Sequence, residues 1–174
     1  MLAINTVPHI QHRIDDNNVT IRPSSASDAE LEADFVRNLS LQTKHNRFME
    51  GINELSSTML KNLCDIDGKH VMAFVATIKE KNKEQQIGVS RYALGVNENE
   101  GEIAVTVADD WQHHGIAKLL MKPLIEYARN NGITQLYSLD LTSNVAMEHL
   151  AKDLGMTAKR EPDDAELVRY SLEI

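Results

Sequence analysis

The sequence is poor in several features, and each shortage excludes a class of protein. Cys64 is the only cysteine among 174 residues, which excludes an internal disulfide and suits a reducing compartment. No run of about 18 apolar residues occurs, so the sequence predicts no membrane-spanning helix. Lys and Arg number 18 against 26 Asp and Glu, and the net charge of −8 argues against a nucleic-acid partner.

The length suits one folded domain. Residues 1–18 show neither a clear hydrophobic period nor the basic-then-apolar pattern of a signal peptide, so we expect a partly ordered tail. Residues 19–174 are expected to form a single cytoplasmic domain. The composition leaves a homodimer open.

The first half begins with a short strand and continues with helices. Residues 19–23 are rich in β-formers and end at a proline. Ser27, with Glu30 three residues later, predicts a capping box at the start of a helix. A second helix is predicted over residues 41–55, although Gly51 weakens it.

Strand patterns follow. Residues 70–79, 87–94 and 102–107 are rich in Val, Ala and Ile, and two short polar tracts separate them. Three strands joined by tight polar loops predict an antiparallel meander.

The second half alternates strand and helix. After residue 107 a polar loop leads into a helix whose apolar stripe begins at Ile116, and residues 136–141 form the next strand. Strand, helix and strand in this order require a right-handed crossover and a parallel pair. Pro123 lies inside the helix, where we expect either a kink or a helix that continues around the proline.

A last helix and a hairpin complete the chain. Asn144 precedes an apolar stripe that ends at Gly155, and residues 157–161 and 166–172 predict a closing hairpin. The whole pattern predicts an α+β domain with a mixed sheet.

The loop before Ile116 has the physics of an anion site. The first amides of a helix lack partners and carry the positive end of the helix dipole, so phosphates bind there. Gly115 lets the backbone approach a phosphate closely. It is the only glycine in the loop, and no Gly-Lys-Ser/Thr follows, so neither a dinucleotide fingerprint nor a P-loop is present. An ordinary strand-to-helix turn stays open on these residues alone.

The loop resembles the Gln/Arg-x-x-Gly-x-Gly/Ala motif of the GNAT superfamily of N-acetyltransferases. Its residues are Gln112, His113, His114, Gly115, Ile116 and Ala117. The strand Ile-Ala-Val-Thr-Val before it, and Asn144 followed by Leu-Gly-Met at residues 154–156, also match the family pattern. Arg47-Phe48 and the run from Gly101 to Gln112 resemble the catalytic domain of bacterial protein lysine acetyltransferases.

The resemblance implies a GNAT-like fold, a mostly antiparallel sheet whose central parallel pair splays apart, flanked by helices. It also implies acetyl-CoA as co-substrate, its pantetheine arm along Val107 and Ala108. Its pyrophosphate would meet the amides of Gln112, His113, His114, Gly115, Ile116, Ala117 and Lys118. Asn144 would cap its helix, contact the coenzyme, or do both.

Glu102 is the expected general base, a role that the resemblance implies and the chemistry supports. An ammonium must lose a proton before its nitrogen can attack a thioester. Glu102 shares a strand face with Ala104 and Thr106, whose small side chains leave room for a substrate. The amide of Val107 or Ala108 is expected to polarise the thioester carbonyl. A solvated surface carboxylate remains the alternative for Glu102.

One position departs from the family. Many members carry a tyrosine that protonates the leaving thiolate, and Ala151 occupies that position here. The acid is therefore elsewhere, or the thiolate leaves without one, since a thiol has a pKa of about 8.5. His113 and His114 point apart and lack a third ligand, so we expect no metal.

The expected acceptor is an amine, preferably a protein lysine, with a small-molecule amine as the alternative. A non-catalytic acyl-CoA sensor is the alternative of a different class.

Overall fold

The computed structural model describes residues 7–49 and 51–174, and within them eight strands accompany five α-helices. The strands are β1 (Ile10–Ile14), β2 (Asn17–Pro23), β3 (Val71–Glu80), β4 (Lys83–Leu94), β5 (Glu100–Val107), β6 (Gln135–Leu141), β7 (Thr157–Arg160) and β8 (Leu167–Glu173). The helices are α1 (Ala29–Asn38), α2 (Leu41–Phe48), α3 (Ser57–Cys64), α4 (Ile116–Asn130) and α5 (Val145–Asp153). One sheet holds the strands in the order β1-β2-β3-β4-β5-β6-β8-β7.

The meander predicted from the sequence is confirmed and extends further than expected. β3 and β4 pair antiparallel up to Glu80 and Lys83. The two turn residues between them, Lys81 and Asn82, have φ of 48° and 66°, as tight hairpin turns require. Because the turn is so short, the polar residues 83–86 belong to the strand.

The parallel pair is also confirmed, and it is short. β5 and β6 are in register at Glu100 and Gln135, Gly101 and Leu136, and Glu102 and Tyr137. Beyond these three pairs the strands separate. β6 continues to pair with β8 on its other side as far as Leu141, so only the side toward β5 opens.

Helices cover both faces of the sheet. On one face α4 packs Leu120, Met121, Leu124 and Tyr127 against strand residues such as Phe74. On the other face α1 packs Phe35 and Val36 against Val75 and Val89. Buried residues run almost continuously along β3 and β4, and successive residues face the two cores in turn, so these central strands are buried on both sides.

The N-terminal half contains elements that the sequence did not predict. Residues 10–14, expected within a partly ordered tail, form an edge strand paired with β2. The predicted helix over residues 41–55 ends at Phe48, and α3 is separate. Residues 1–6 of the expected tail lie outside the described residues.

The predicted capping box at Ser27 and Glu30 is wrong. The amide of Ser25 donates instead to the carboxylate of Asp28 at 2.8 Å, and a short 3₁₀ turn over Ala26–Asp28 precedes α1. A guanidinium, that of Arg22, also donates to both oxygens of Asp28 at 2.8 Å. This ion pair fixes the start of the helix.

Pro123 lies within α4, which runs through it as one helix. A proline there removes the hydrogen bond to the carbonyl of Leu119 and loosens the turn. The hydroxyl of Ser90 donates to the neighbouring carbonyl of Leu120 at 3.0 Å. A side chain of β4 therefore satisfies a carbonyl of the turn that the proline disturbs.

Candidate active site

A cleft of about 640 Å³ occupies the opening between β5 and β6. Its walls come from α2, β5, the loop of residues 108–115, the start of α4, β6 and α5. The cleft therefore sits beside the carboxyl ends of the parallel pair and at the start of a helix, where ligands of α/β units gather.

The 108–115 loop ends in a backbone shape that suits phosphates. His113 has φ of 65° and Gly115 has φ of 79°, and a β-carbon added at Gly115 would meet no protein atom within 4 Å. Leu119 is the first residue of α4 whose amide has an intrahelical acceptor, the carbonyl of Gly115 at 3.2 Å. The amides of residues 116–118 precede it, so the positive end of α4 faces the cleft.

Two side chains fix the loop to its surroundings. The carboxylate of Asp109 accepts from the amide and hydroxyl of Ser40 at 2.8 and 2.6 Å, and from the hydroxyl of Thr43 at 2.7 Å. Burial by itself raises the pKa of Asp109, but these hydrogen bonds outweigh it and leave that pKa lowered. Nε2 of Gln112 donates to the carbonyl of Val107 and to Oγ1 of Thr43, both at 3.2 Å. The loop is thus attached to the first turn of α2.

The backbone of β5 exposes only alternate amides to the cleft. The amide of Ala108 donates to the carbonyl of Ile87 on β4 at 2.9 Å, so it is not free to polarise a thioester. Alternation along a strand then directs the amides of Val105 and Val107 toward the opening. Of the two amides expected for this task, the geometry leaves that of Val107.

Glu102 lines the cleft at the last position of β5 that pairs with β6, and its side chain is exposed. Arg47 enters the same cleft from α2. Burial lowers the pKa of Arg47 to about 10, and the charge of Arg91 acts in the same direction. The charges of Glu32, Glu102 and Asp140 oppose this lowering. A guanidinium and a carboxylate therefore share this side of the cleft.

The β6 wall carries an acidic residue that the sequence analysis missed. Asp140 lines the cleft and is 9% exposed. It accepts hydrogen bonds from the hydroxyl of Ser138 and from Nδ2 of Asn144, the latter at 3.4 Å. The side-chain oxygen of Asn144 also accepts from the amide of Met147 at 3.2 Å. Asn144 therefore caps α5 and holds Asp140 at once.

Nine of the eleven site residues predicted from the sequence line this one cleft. They are Glu102, Val107, Gln112, His113, Gly115, Ile116, Ala117, Lys118 and Asn144. Ala108 and His114 are not among its lining residues. Nδ1 of His114 bonds to the carbonyl of Gln112 at 2.8 Å, and its other nitrogen lies 3.5 Å from Asp15, so its ring supports the loop from outside.

The mouth of the cleft is bridged by an ion pair. Nζ of Lys118 on α4 lies 3.0 Å from the carboxylate of Asp153 on α5, and both side chains are about half exposed. A phosphate arriving at Lys118 would compete with Asp153 for this ammonium.

Position 151 in α5 is an alanine, which is 1% exposed. Because alanine has no hydroxyl group, this position supplies no proton donor to the cleft. Across residues 7–49 and 51–174, no three His, Cys, Asp or Glu side chains cluster closely enough to hold a metal ion. No helix of that same part of the chain is long and apolar enough to span a bilayer.

The fold and the cleft are those of a GNAT acetyltransferase. The family model described as "Acetyltransferase (GNAT) family" matches residues 35–156. The chain belongs to this family, whose members use acetyl-CoA as acetyl donor.

Individual acetyltransferases are similar to this chain over most of its length. The chain is 43% identical over 158 residues to "Acetyltransferase PA5475" of Pseudomonas aeruginosa, covering 91% of this chain and 85% of that protein. It is 30% identical over 142 residues to "Acetyltransferase Pat" of Mycolicibacterium smegmatis, covering 81% of this chain but 42% of that longer protein. Among solved structures, the GNAT domain of S. lividans PAT superposes with a TM-score of 0.85 at 23% identity, covering 95% of this chain and 97% of that one.

Proposed function

We propose that this acetyltransferase moves the acetyl group of acetyl-CoA directly to an amine, and that its preferred acceptor is a lysine side chain of a protein. The observation that carries the proposal is the placement of Glu102 in the same cleft as the 112–118 segment. A base and a phosphate-binding helix start then serve one substrate pair without a covalent enzyme intermediate.

The donor end is built from backbone groups. The amides at the start of α4 and the positive φ at Gly115 suit the pyrophosphate of the coenzyme. The pantetheine arm would run along the unpaired side of β5, where the amide of Val107 points into the opening. That amide would donate to the thioester oxygen as negative charge develops there.

Glu102 acts as the base in this proposal. A lysine amine has a pKa of about 10.4 and is almost wholly protonated near neutral pH. Glu102 would take a proton from it, directly or through water, so that the nitrogen lone pair can attack the carbonyl carbon. Arg47 shares this part of the cleft and supplies a positive charge beside the developing oxyanion.

The lysine acceptor rests on two similarities. The run from Gly101 to Gln112, together with Arg47 and Phe48, resembles the catalytic domains of bacterial protein lysine acetyltransferases. The 30% identity to "Acetyltransferase Pat" spans this region. A small-molecule amine would use the same base and donor site, and only the shape of the acceptor side would differ.

The deciding experiment measures coenzyme release with three acceptor panels: proteins, polyamines and amino acids. We expect release with protein acceptors, acetyl-lysine in the product by mass spectrometry, and a strong loss in Glu102→Gln. Faster turnover of a small amine would replace the lysine acceptor and keep the mechanism. Tight acetyl-CoA binding without release in any panel would make the chain a sensor.

A further inference from the structure

In the proposed reaction, no residue has been assigned to the proton transfer onto the leaving sulfur. When the new C–N bond forms and the C–S bond breaks, the sulfur departs as a thiolate. Ala151 is buried at the position from which a family tyrosine protonates that sulfur. Any residue that donates a proton to the sulfur therefore lies in another part of the cleft.

Among the described residues, the ionisable side chains that line the cleft are few. They are Arg47, Glu102, Asp109, His113, Lys118, Asp140, His149 and Asp153. Most have other tasks or lie at the mouth: Asp109 holds the first turn of α2, and Lys118 pairs with Asp153. His113 and His149 are exposed, whereas Asp140 is buried in the wall.

We propose that Asp140 is the general acid that protonates the leaving sulfur; the proposal rests on the function proposed above. Its place in the strands supports this role. Glu102 is in register with Tyr137, so both point to the face of the sheet that α2 covers. Asp140, three residues beyond Tyr137, points to the opposite face, where it meets Asn144 at the start of α5.

Base and acid then approach the thioester from two directions. The nitrogen and the sulfur are separate substituents of the tetrahedral carbon, so a base and an acid on opposite faces of the sheet can each reach one of them. Glu102 reaches the acceptor from the α2 face, and Asp140 reaches the sulfur from the α5 face. The opening beyond the third strand pair is what lets side chains of both faces contact one ligand.

The pKa of Asp140 is raised above its ordinary value, and its neighbours act on that pKa in both directions. Burial raises the pKa of Asp140, while the hydrogen bonds from Ser138 and Asn144 and the charge of Arg47 partly lower it. The negative charge of Glu102 raises the pKa of Asp140 further. From β8, Tyr170 is neutral, and its own pKa is raised by burial, by Glu148 and by Asp140.

This arrangement couples the two proton transfers. When Glu102 takes a proton from the ammonium, its negative charge disappears, and one cause of the raised pKa of Asp140 disappears with it. Asp140 then becomes a stronger acid as the thiolate forms. The sulfur keeps the C–S electron pair and receives the proton of Asp140, and the nitrogen loses its second proton to water as the amide forms. After the products leave, Glu102 returns its proton to water and Asp140 takes one up, so both residues regain their starting states.

The test compares two acetyl donors, acetyl-CoA and its analogue with selenium in place of sulfur. A selenol is a stronger acid than a thiol, so a selenolate leaves without a proton donor. We expect Asp140→Asn to reduce kcat about 10- to 100-fold with the thioester, at the low end of acid–base effects, and to show little deficit with the selenoester. Acetyl-CoA affinity by calorimetry should be unchanged, and Asp163→Asn in the exposed β7–β8 turn should match wild type with both donors.

The other variants separate the alternatives. Glu102→Gln should be slow with both donors, because its defect lies in the amine. Equal deficits of Asp140→Asn with both donors, or a donor-dependent loss in His149→Gln instead, would overturn the assignment of Asp140. A wild type that acetylates no amine would overturn the proposed function and this proposal together.

A second measurement tests the proposal even if Asp140→Asn fails to fold. Ser138→Ala removes a hydrogen bond that lowers the pKa of Asp140, so the limb of the kcat–pH profile that reports this acid should move to higher pH. A limb at an unchanged pH would contradict the proposal.

Discussion

The two ends of the β5–β6 pair differ in what they do for the protein. At the closed end, residues 100–102 and 135–137, the strands pair and Gly101 lies against Leu136 and Leu94. At the open end, residues 103–107 and 138–141, no hydrogen bonds join β5 to β6, and their facing groups line the cleft. Strand pairing therefore stops where the proposed ligand cleft begins, and Glu102 stands on the boundary.

The comparison makes a simple prediction: substitutions at the open end should change function and spare stability, and substitutions at the closed end should do the reverse. The largest expected effect is at the boundary. Glu102→Gln should lower kcat about 10²- to 10⁴-fold near neutral pH, the usual range for a general base, with unchanged acetyl-CoA affinity and melting temperature.

The deficit of Glu102→Gln should shrink toward about pH 10, where much of a lysine acceptor is already unprotonated. Steady-state rates across this pH range check the prediction. Glu80→Gln, an exposed carboxylate at the far end of β3, is the control. Wild-type rates for Glu102→Gln at every pH would mean that Glu102 is not the general base.

The next effect concerns the start of α4. Gly115→Val should weaken acetyl-CoA binding about 100-fold, or about 2.7 kcal/mol, because the new side chain would fill space meant for phosphates. Gly132→Val is a matched control, since Gly132 also has positive φ, 84°, and open space around a β-carbon. Both variants carry the same kind of backbone strain, so calorimetry isolates the loss due to the ligand. Equal affinities in the two would contradict the site.

A closed-end substitution should act on stability alone. A β-carbon at Gly101 would lie 3.1 Å from Cδ2 of Leu136 and 3.4 Å from Cδ2 of Leu94. Gly101→Val should therefore lower the free energy of unfolding by about 1–2 kcal/mol through overpacking. Gly95→Val, at a site with no neighbour within 4 Å, should change it little in chemical denaturation. If Gly101→Val is as stable as wild type, the side chains of the closed end must be able to shift and accommodate the added atoms.

The smallest effect lies away from both ends, in the turn before β3. Asp67 accepts from the amides of Lys69, His70 and Val71 at 2.8–2.9 Å. Burial by itself raises the pKa of Asp67, but these bonds and the His70 ring lower it to about 2. A lowered pKa contributes stability above the unfolded value of about 3.9, and this contribution is lost as the pH falls through about 2.

Asp67→Asn should therefore be less stable than wild type at pH 7 by up to about 1 kcal/mol, and the gap should close between about pH 4 and 2. Unfolding curves at several pH values measure the gap, with the neighbouring exposed Asp65→Asn as control. A stability difference that persists at pH 2 would mean that the loss comes from packing and not from the charge of Asp67. Activity at pH 7 should be unaffected.

Much of the fold was predictable because its signals are local. The apolar runs of β3 to β5 and the apolar stripe of α4 are visible in the sequence, and the predicted strands and helix were confirmed. The break between α2 and α3 was not visible. There the buried ammonium of Lys44 donates to the carbonyls of Arg37 and Asn53 at 3.0 and 2.9 Å, a contact that exists only once the helices have packed.

The candidate site likewise has one part that the sequence predicted and one part that it did not. The 112–118 segment could be predicted because the motif and the helix start are contiguous in the sequence. Asp140 was missed because its properties come from α5, β8 and the opening beside it, none of which its own strand reveals. A signal was present: one acidic residue stands inside the otherwise apolar and neutral run of residues 136–141. The sequence did not predict that this acid is buried.

The contact between Asp109 and the first turn of α2 has a consequence for how the two substrates sense one another. The segment that would hold the coenzyme and the helix that would present Arg47 to the acceptor are joined by hydrogen bonds at 2.6–2.8 Å. Ordering one therefore orders the other. We expect heterotropic coupling: the coenzyme tightens acceptor binding by some factor, and thermodynamic reciprocity requires the acceptor to tighten coenzyme binding by the same factor. Asp109→Ala should uncouple the two affinities and leave each intrinsic site in place.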